Sequence, residues 1–489
     1  MKKKTKKILI GILASILLLI GIVAGVFFMQ ISGAKKDVRE QIDNLPANYQ
    51  QYASDYLLNE INTYESLSSA KDIRKVGEDI KLFIDGKAFY KENDFPTIYF
   101  NTTDSVGNSL EKIDNYVPTQ IVFVGNNGQI IKDDNGKIKV RGNSTADAEK
   151  KPYNFKFDVE QDLFGFGYSK KWSLLAECLD PTMVRDRVFF TLAKEMGMDY
   201  VSDSEYLMVY VDGEYKGAFL LAETADVKDG RLEINLDNGD IAFEYEAERE
   251  DEESVYEYTE HGWRFVLNDP EQPTEEEKDN FLDTIYGFDE VVYSVDYQWI
   301  RDTIDIESFA KLYLLNEVAK TIDFDYSSVK FYKKDGTIFA GPPWDFDLSS
   351  GNYSVHYHYQ AYVGETKEEK AEIMNSYSDM WAQRNLIFNA LTDYPQFNEV
   401  VQTYFDQYEA LFRSVYQDDG IIDQIINEYG SLFESNYASV SEGGAGWDVS
   451  KAYSELEKER FSTYEENVQY LKKWMENRIN YLKEENNWY

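Results

Sequence analysis

The segment NEVAKTIDFDYSSVKFYKKDGTIFAGPPWDFDLSSGN, residues 316–352, carries the pattern that organises the rest of this chain. It leaves an apolar helix, ESFAKLYLLNEVAKTI, for a carboxylate-rich turn, then a hairpin with Asp335-Gly336 at its bend. It ends on two aspartates, Asp345 and Asp347, one residue apart among aromatic residues with glycines on both sides. If that last piece is extended, positions i and i+2 share a face, and the two carboxylates can hold a divalent cation together. Asp323 lies 22 residues before Asp345, and the hairpin between them returns its two ends to one place. Two hard oxygen ligands and a third carboxylate that positions or deprotonates a hydroxyl would serve metal-assisted phosphoryl transfer, where the protein supplies position and charge.

Such chemistry also needs cations for the phosphate. KVRGNSTADAEKKPYNFKFD, residues 139–158, offers Arg141, Lys150, Lys151 and Lys156. On the residues alone, an ordinary hairpin turn with surface lysines explains this stretch equally well. Other chemistries find less support. The three histidines, His261, His356 and His358, lack the spacing of a zinc protease helix, and the chain has neither GxxxxGK[ST] nor GxSxG. A glycosidase would place two carboxyl groups about 5–9 Å apart across a cleft rather than cluster them.

Outward from the central segment the texture is mixed α+β. TIYFNTTD, TQIVFVG, QIIKDDNGKIKVRGN and YNFKFDVE read as strands, with turns at Asn108, Gly125 to Gly128 and Asn135-Gly136. DPTMVRDRVFFTLAKEMGM reads as a helix capped by Asp180, with Pro181 in its first turn and Gly197 at its end. SEYLMVYVDGEYKGAFLLAE is a hairpin signal centred on Asp212-Gly213. The expected organisation is a helical stalk or packing extension over 33–84, a mainly β region over 85–230, an acidic insertion and connection over 231–300, and a mainly helical region over 301–489 carrying the site. The amphipathic segments after residue 379 read as a supporting bundle whose aromatic residues form core.

Residues 1–32 form an address. Five lysines among the first seven residues precede an apolar run from Ile8 to Phe28, long enough to cross a hydrocarbon core of roughly 30 Å. Its length favours an uncleaved, single-pass signal anchor over a cleaved signal peptide, and the lysines favour a cytoplasmic N-terminus with the C-terminal part outside the cell membrane. With 50 basic and 89 acidic residues the net charge is -39, which argues against nucleic acid as a partner and would attract cations or basic proteins. Cys178 is alone, so no intramolecular disulfide forms.

These residues resemble the CotH kinase family, atypical secreted or surface-associated protein kinases named for a bacterial spore-coat protein. The resemblance covers much of 85–480 and rests on VRGNSTADAEKKPYNFKF, KKWSLLAECLDPTMVRDRVFFTLAKEMGM, VYVDGEYKGAFLLAE and the segment quoted first. It implies a highly diverged, two-lobed kinase-like fold with a C-terminal helical elaboration. It also implies transfer of the terminal phosphate of ATP to protein serine or threonine, with Mg2+ or Mn2+. Carried over residue by residue, Asp323 positions the acceptor hydroxyl, Asp345 leads the metal ligands, and Asp347 is second ligand or orienter. Lys156 is the foremost phosphate-binding lysine, with Lys151 and Arg141 as alternatives. Glu223 is expected near nucleotide or orienting a basic group, and of Arg185 and Arg187 one reaches the cleft while the other forms a salt bridge.

Two departures stand out. Thr321 occupies the place of the family's asparagine, and Phe324 that of its glycine. A threonine hydroxyl cannot reproduce the paired donor and acceptor of an amide. The competing expectation is therefore an inactive relative, a surface scaffold or adhesion module in which WDFD fixes a structural cation. The protein substrate, its basic character and the oligomeric state are left open by the sequence.

Overall fold

The computed structural model describes all residues except 1, 47, 103–109, 111–114, 143, 248–254, 354–363, 365, 450–460 and 486–489. The turn expected at Asn108, and His356 and His358, lie outside the described residues. The fold is a mixture of helix and strand, and the chain divides into two compact units. One comprises Met1–Gly107, Pro118–Lys137 and Val209–Tyr215; the other comprises Asn108–Val117, Ile138–Met208 and Lys216–Tyr489.

The first unit begins with α1 (Lys2–Asp43). Among the described residues α1 alone is long and apolar enough to cross a membrane, with a mean hydropathy of 2.9 in its best window. Length and composition suit a membrane span and a signal sequence alike. Its apolar side chains from Ile8 to Met29 are exposed, yet the same helix buries Ala34 and Val38 a turn or two later. There it packs with α2 (Asp55–Thr63) and α3 (Ala70–Ile84) around Leu57, Ile73, Ile80, Phe83 and Tyr99. Ser54 and Ser69 start these two helices, their hydroxyls accepting from the N–H groups of Leu57 and Asp72.

Seven strands close into a barrel in the order β1-β2-β3-β4-β5-β7-β6. They are β1 (Thr97–Thr102), β2 (Val117–Val124), β3 (Ile130–Val140), β4 (Tyr153–Asp162), β5 (Tyr168–Leu175), β6 (Ser204–Val211) and β7 (Glu214–Glu223). Asp212 and Gly213 both have positive φ, 48° and 94°, as a two-residue hairpin bend requires. Asn135-Gly136 does not turn; β3 runs straight through it. Gly136 is there for space, since a Cβ would stand 2.4 Å from Ile121 Cδ1.

α4 (Arg185–Glu195) starts four residues later than a cap at Asp180 suggests. The Asp180 carboxylate accepts from the N–H groups of Thr182, Val184 and Arg185, so it caps the helix from across a tight turn instead of from the adjoining position. Gly197, at φ 65°, ends α4 as expected.

The second sheet has the order β12-β11-β8-β10-β9: β8 (Ile241–Tyr245), β9 (Tyr256–Tyr258), β10 (Arg264–Asp269), β11 (Val329–Lys334) and β12 (Thr337–Ala340). The described ends of the acidic run thus belong to a sheet. Asp335-Gly336 makes the expected bend, with φ of 50° and 85°. Helices α5 (Glu275–Val292), α6 (Tyr297–Thr303), α7 (Ile306–Ala319), α8 (Lys367–Asn375), α9 (Leu386–Thr392), α10 (Pro395–Ser414), α11 (Ile421–Tyr437) and α12 (Tyr464–Glu485) complete this unit. Phe243, Phe265, Phe288, Phe309, Phe331 and Phe388 pack between sheet and helices.

One buried ion pair fixes the end of α7, from which the Asp323 turn departs. Glu317 and Arg478 of α12 are both 0% exposed. Glu317 accepts from Arg478 Nη2 at 2.8 Å and from the N–H of Trp381 at 2.6 Å. Arg478 also donates to the carbonyls of Glu317, Tyr377 and Asp379. Next to it Lys320 takes a left-handed conformation, φ 49°, and its ammonium donates to the carbonyls of Ile373 and Ser376. Removing one partner would leave an uncompensated buried charge. Arg478→Leu is expected to lower the unfolding free energy by about 3–5 kcal/mol, read from urea denaturation; a loss below about 1 kcal/mol, the level of an exposed pair, would contradict this role.

Candidate active site

The WDFD segment is irregular, not extended, which corrects the simplest reading of its alternating aspartates. Asp345 has φ 71°, a left-handed conformation that costs a non-glycine residue about 1 kcal/mol or more. Phe346 anchors the turn, buried against Phe189 and Phe190 of α4. The Ser328 hydroxyl donates to Asp345 at 2.8 Å. Trp344 is flanked by Arg141, 5.4 Å from its ring centre, and Lys330 at 6.0 Å.

Asp323 sits in the short 3-10 turn Ile322–Asp325, tied to the same loop. The N–H of Ile322 donates to Leu348, and that of Ser350 to Ala319. The Asp323 carbonyl accepts from the N–H groups of Tyr326 and Ser327, and its carboxylate from the Tyr326 hydroxyl at 3.3 Å. Burial pushes the Asp347 carboxyl well above the usual range, reinforced by Asp345, Asp186, Asp323 and Asp180. The structure therefore brings Asp323, Asp345 and Asp347 into one electrostatic neighbourhood. Phe324 packs on Phe388 in the core, while the buried Thr321 hydroxyl has no hydrogen-bond partner among the described residues.

A second wall comes from the turn between β5 and α4. Asp180, 0% exposed, pairs with Arg185, whose Nε and Nη2 donate to the carbonyls of Ser349 and Ser350. Asp186 accepts from the N–H of Phe346 at 2.7 Å. Burial, then Asp345, raises the Asp186 carboxyl to about 7 against the opposing bond from Phe346. Asn352 donates to the carbonyls of Leu179 at 2.9 Å and Asp347 at 2.5 Å. Glu177 is buried, and neither of its carboxylate oxygens has a partner among the described residues.

Two cations face these acids. Arg141 is held down by burial and drawn up by Asp345, Asp186 and Asp347. Lys150 is buried, donates to the Ala218 carbonyl at 2.5 Å and lies 4.6 Å from the Phe219 ring centre. Burial lowers its ammonium to about 7, opposed by Cys178 and Glu177. Cys178 itself is pushed up to about 12, chiefly by burial.

The other expected residues lie elsewhere. Lys156 is over the Tyr116 ring at 4.5 Å and faces Lys171 across the β4–β5 pair. Burial lowers its ammonium, followed by the effects of Lys171, Glu271, Lys139 and Asp226. Lysines and acids alternate on this surface, since Lys171 pairs with Glu271 and Asp226, and Arg141 as well as those two acids acts on Tyr116. Lys151 turns back to the carbonyls of Ala146 and Ala148. Glu223 accepts from the N–H of Asp203 and from Arg231 Nε, so it orients a basic side chain, and burial raises its carboxyl to about 7. Arg185 is committed to Asp180 and the loop, and Arg187 to Ser204; Arg185 therefore positions the loop rather than offering its fork to a ligand.

Sequence reasoning passed over Glu177 and Asp186, and saw in Asp180 only a cap. Their signal was AECLDPTMVRD, three acids in eleven residues of a largely apolar strand-to-helix turn. Among the described residues no three acidic, histidine or cysteine side chains already stand around one point at metal-ligand distance. Mg2+ needs only one or two carboxylates beside waters and phosphate oxygens. The acidic, oxygen-only donor set fits such an ion, and Arg141 and Lys150 fit the phosphates.

The depressed Lys150 has a definite pH signature. Its folded value of about 7 lies below the ordinary 10.5, so its ammonium opposes folding, fully below pH 7 and less as pH rises to 10.5. Lys150→Met is expected to raise the melting temperature at pH 7 and to lose that advantage toward pH 10. An equal shift at both pH values would contradict it.

The family model described as CotH kinase protein matches residues 138–482, more than half of the chain, including Arg141, Glu177, Asp323, Asp345 and Asp347. Among curated proteins no match was found. This chain belongs to the CotH kinase protein family.

Proposed function

We propose that the chain transfers the terminal phosphate of ATP to serine or threonine hydroxyls of proteins at the outer face of a bacterial cell membrane. The observation that supports this reading is that the Asp323 turn is hydrogen-bonded to the loop of Asp345 and Asp347, through Ile322 and Leu348, and that Arg141 feels both of those aspartates. The lysine-bearing strands and the aspartate-bearing helical part would correspond to the two lobes of a diverged kinase. The N-terminal lysines and the exposed apolar α1 support the location.

In this reading Asp323 orients the acceptor hydroxyl and takes its proton as the oxygen bonds to the γ-phosphorus. The bond from that phosphorus to its bridging oxygen breaks, and ADP leaves. Asp345 and Asp347 would hold magnesium or manganese, whose charge offsets that of the phosphate oxygens. Arg141 and Lys150 neutralise phosphate inside a site shielded from water, where such charges act most strongly. Phe346, Arg185 and Ser328 hold the loop so that little reorganisation is left for the reaction itself.

The unpartnered Thr321 hydroxyl and the packed Phe324 favour a second reading, an inactive scaffold that keeps the cation. One assay separates the two. Full-length chain in detergent, given γ-labelled ATP, Mg2+ or Mn2+ and a mixture of basic and neutral proteins, is expected to label serine or threonine. Asp323→Asn and Asp345→Ala, each shown folded by circular dichroism, are expected to lose about 100-fold or more of the transfer. Cation binding without transfer in the wild type would establish the scaffold instead.

A further inference from the structure

Glu177 has no role in the reaction just described, yet its surroundings are hard to reconcile with a structural side chain. The residue is 6% exposed, and among the described residues neither carboxylate oxygen has a hydrogen-bond partner. An ionised carboxylate left so would cost several kcal/mol. Protonation would remove the charge but leave a buried O–H to be satisfied in its place. Lys150, a cation that acts on Glu177, donates to the Ala218 carbonyl instead. The groups acting most strongly on Glu177 are Asp186, Asp180 and Asp347, all acids.

A further orphan oxygen belongs to Asn352, whose amide holds the carbonyl two residues after Glu177. Asn352 Nδ2 donates to both Leu179 and Asp347 carbonyls, which fixes the amide and leaves Oδ1, in a residue 2% exposed, without a partner. Flipping the amide would set oxygen against two carbonyl oxygens. The bridge made by Asn352 ties the Glu177–Leu179 segment directly to Asp347. Buried unsatisfied oxygens of this kind, all acceptors, ask for a hard cation.

We propose that Glu177 is a third protein ligand of the divalent cation held by Asp345 and Asp347. This rests on the metal-assisted reading above. Because the acidic side chains do not yet converge on one point, Glu177 reaches the ion by side-chain rotation or across one water, either being normal for an ion that keeps several waters. The site then takes its ligands from two separate segments, the strand-to-helix turn and the WDFD loop, and the cation closes one onto the other. The expected preference is for Mg2+ or Mn2+ over softer ions.

The test is Mn2+ binding to the full-length chain in detergent, without nucleotide, by calorimetry and by melting with EDTA or Mn2+. Glu177→Gln keeps the shape and removes the charge. It is expected to weaken Mn2+ binding by about tenfold or more, to shrink the Mn2+-induced rise in melting temperature, and to melt no lower than wild type in EDTA. Glu177→Asp is expected to recover part of the affinity. A folded Glu177→Gln chain that binds Mn2+ as tightly as wild type overturns the proposal while leaving the kinase reading intact, as does a lower melting temperature in EDTA, which marks a structural role. Wild type that transfers phosphate yet binds no Mn2+ overturns it too; wild type that does neither removes the underlying reading.

Discussion

Asp180 and Arg185 form the knot on which the site depends. A carboxylate with no exposure accepts backbone N–H groups that start α4 and pairs with an arginine whose remaining donors grip the carbonyls of Ser349 and Ser350. One short turn thereby fixes the direction of a helix and the path of the loop bearing Asp345 and Asp347. Phe346 completes the arrangement by stacking on the same helix. Arginine suits this place because its rigid fork serves three acceptors at once, which an ammonium could not do with the same geometry.

The knot gathers like charges, and that has consequences. Asp186, Asp347 and Glu177 are all pushed upward, in each case first by burial and then by one another's neighbours. Such a pocket is stable only if something positive enters it or if protons stay on. Arg141 and Lys150 supply part of the balance, and both are themselves held down by burial. Acids facing the two cations Arg141 and Lys150 form the charge pattern that a metal–triphosphate complex would complement.

The sequence carried the local signals well. Two-residue bends at Asp212-Gly213 and Asp335-Gly336 have the positive φ that their residues favour, and the apolar character of α1 was plain. Asn135-Gly136 misled because the same dipeptide also serves where two backbones must approach, and only the neighbour Ile121 reveals which. Site residues on the motif-bearing loop were legible; those contributed by the β5–α4 turn were not, since their importance arises from burial and from bonds across more than a hundred residues. Asp186 meets Phe346, and Leu179 meets Asn352, only in the folded chain. Among the lysines, spacing could not tell Lys150 from Lys156, because β4 and the turn before it send them to different surroundings.

The central claim is that one folded pocket gathers Asp323, Asp345 and Asp347 around a hard ion. Anomalous diffraction from crystals of the chain grown with Mn2+ and a non-hydrolysable ATP analogue addresses it directly. The account predicts a manganese peak within about 2.0–2.3 Å of carboxylate oxygens of Asp345 and Asp347, with Asp323 facing the terminal phosphate. A well-ordered nucleotide whose metal lies away from both aspartates would contradict it.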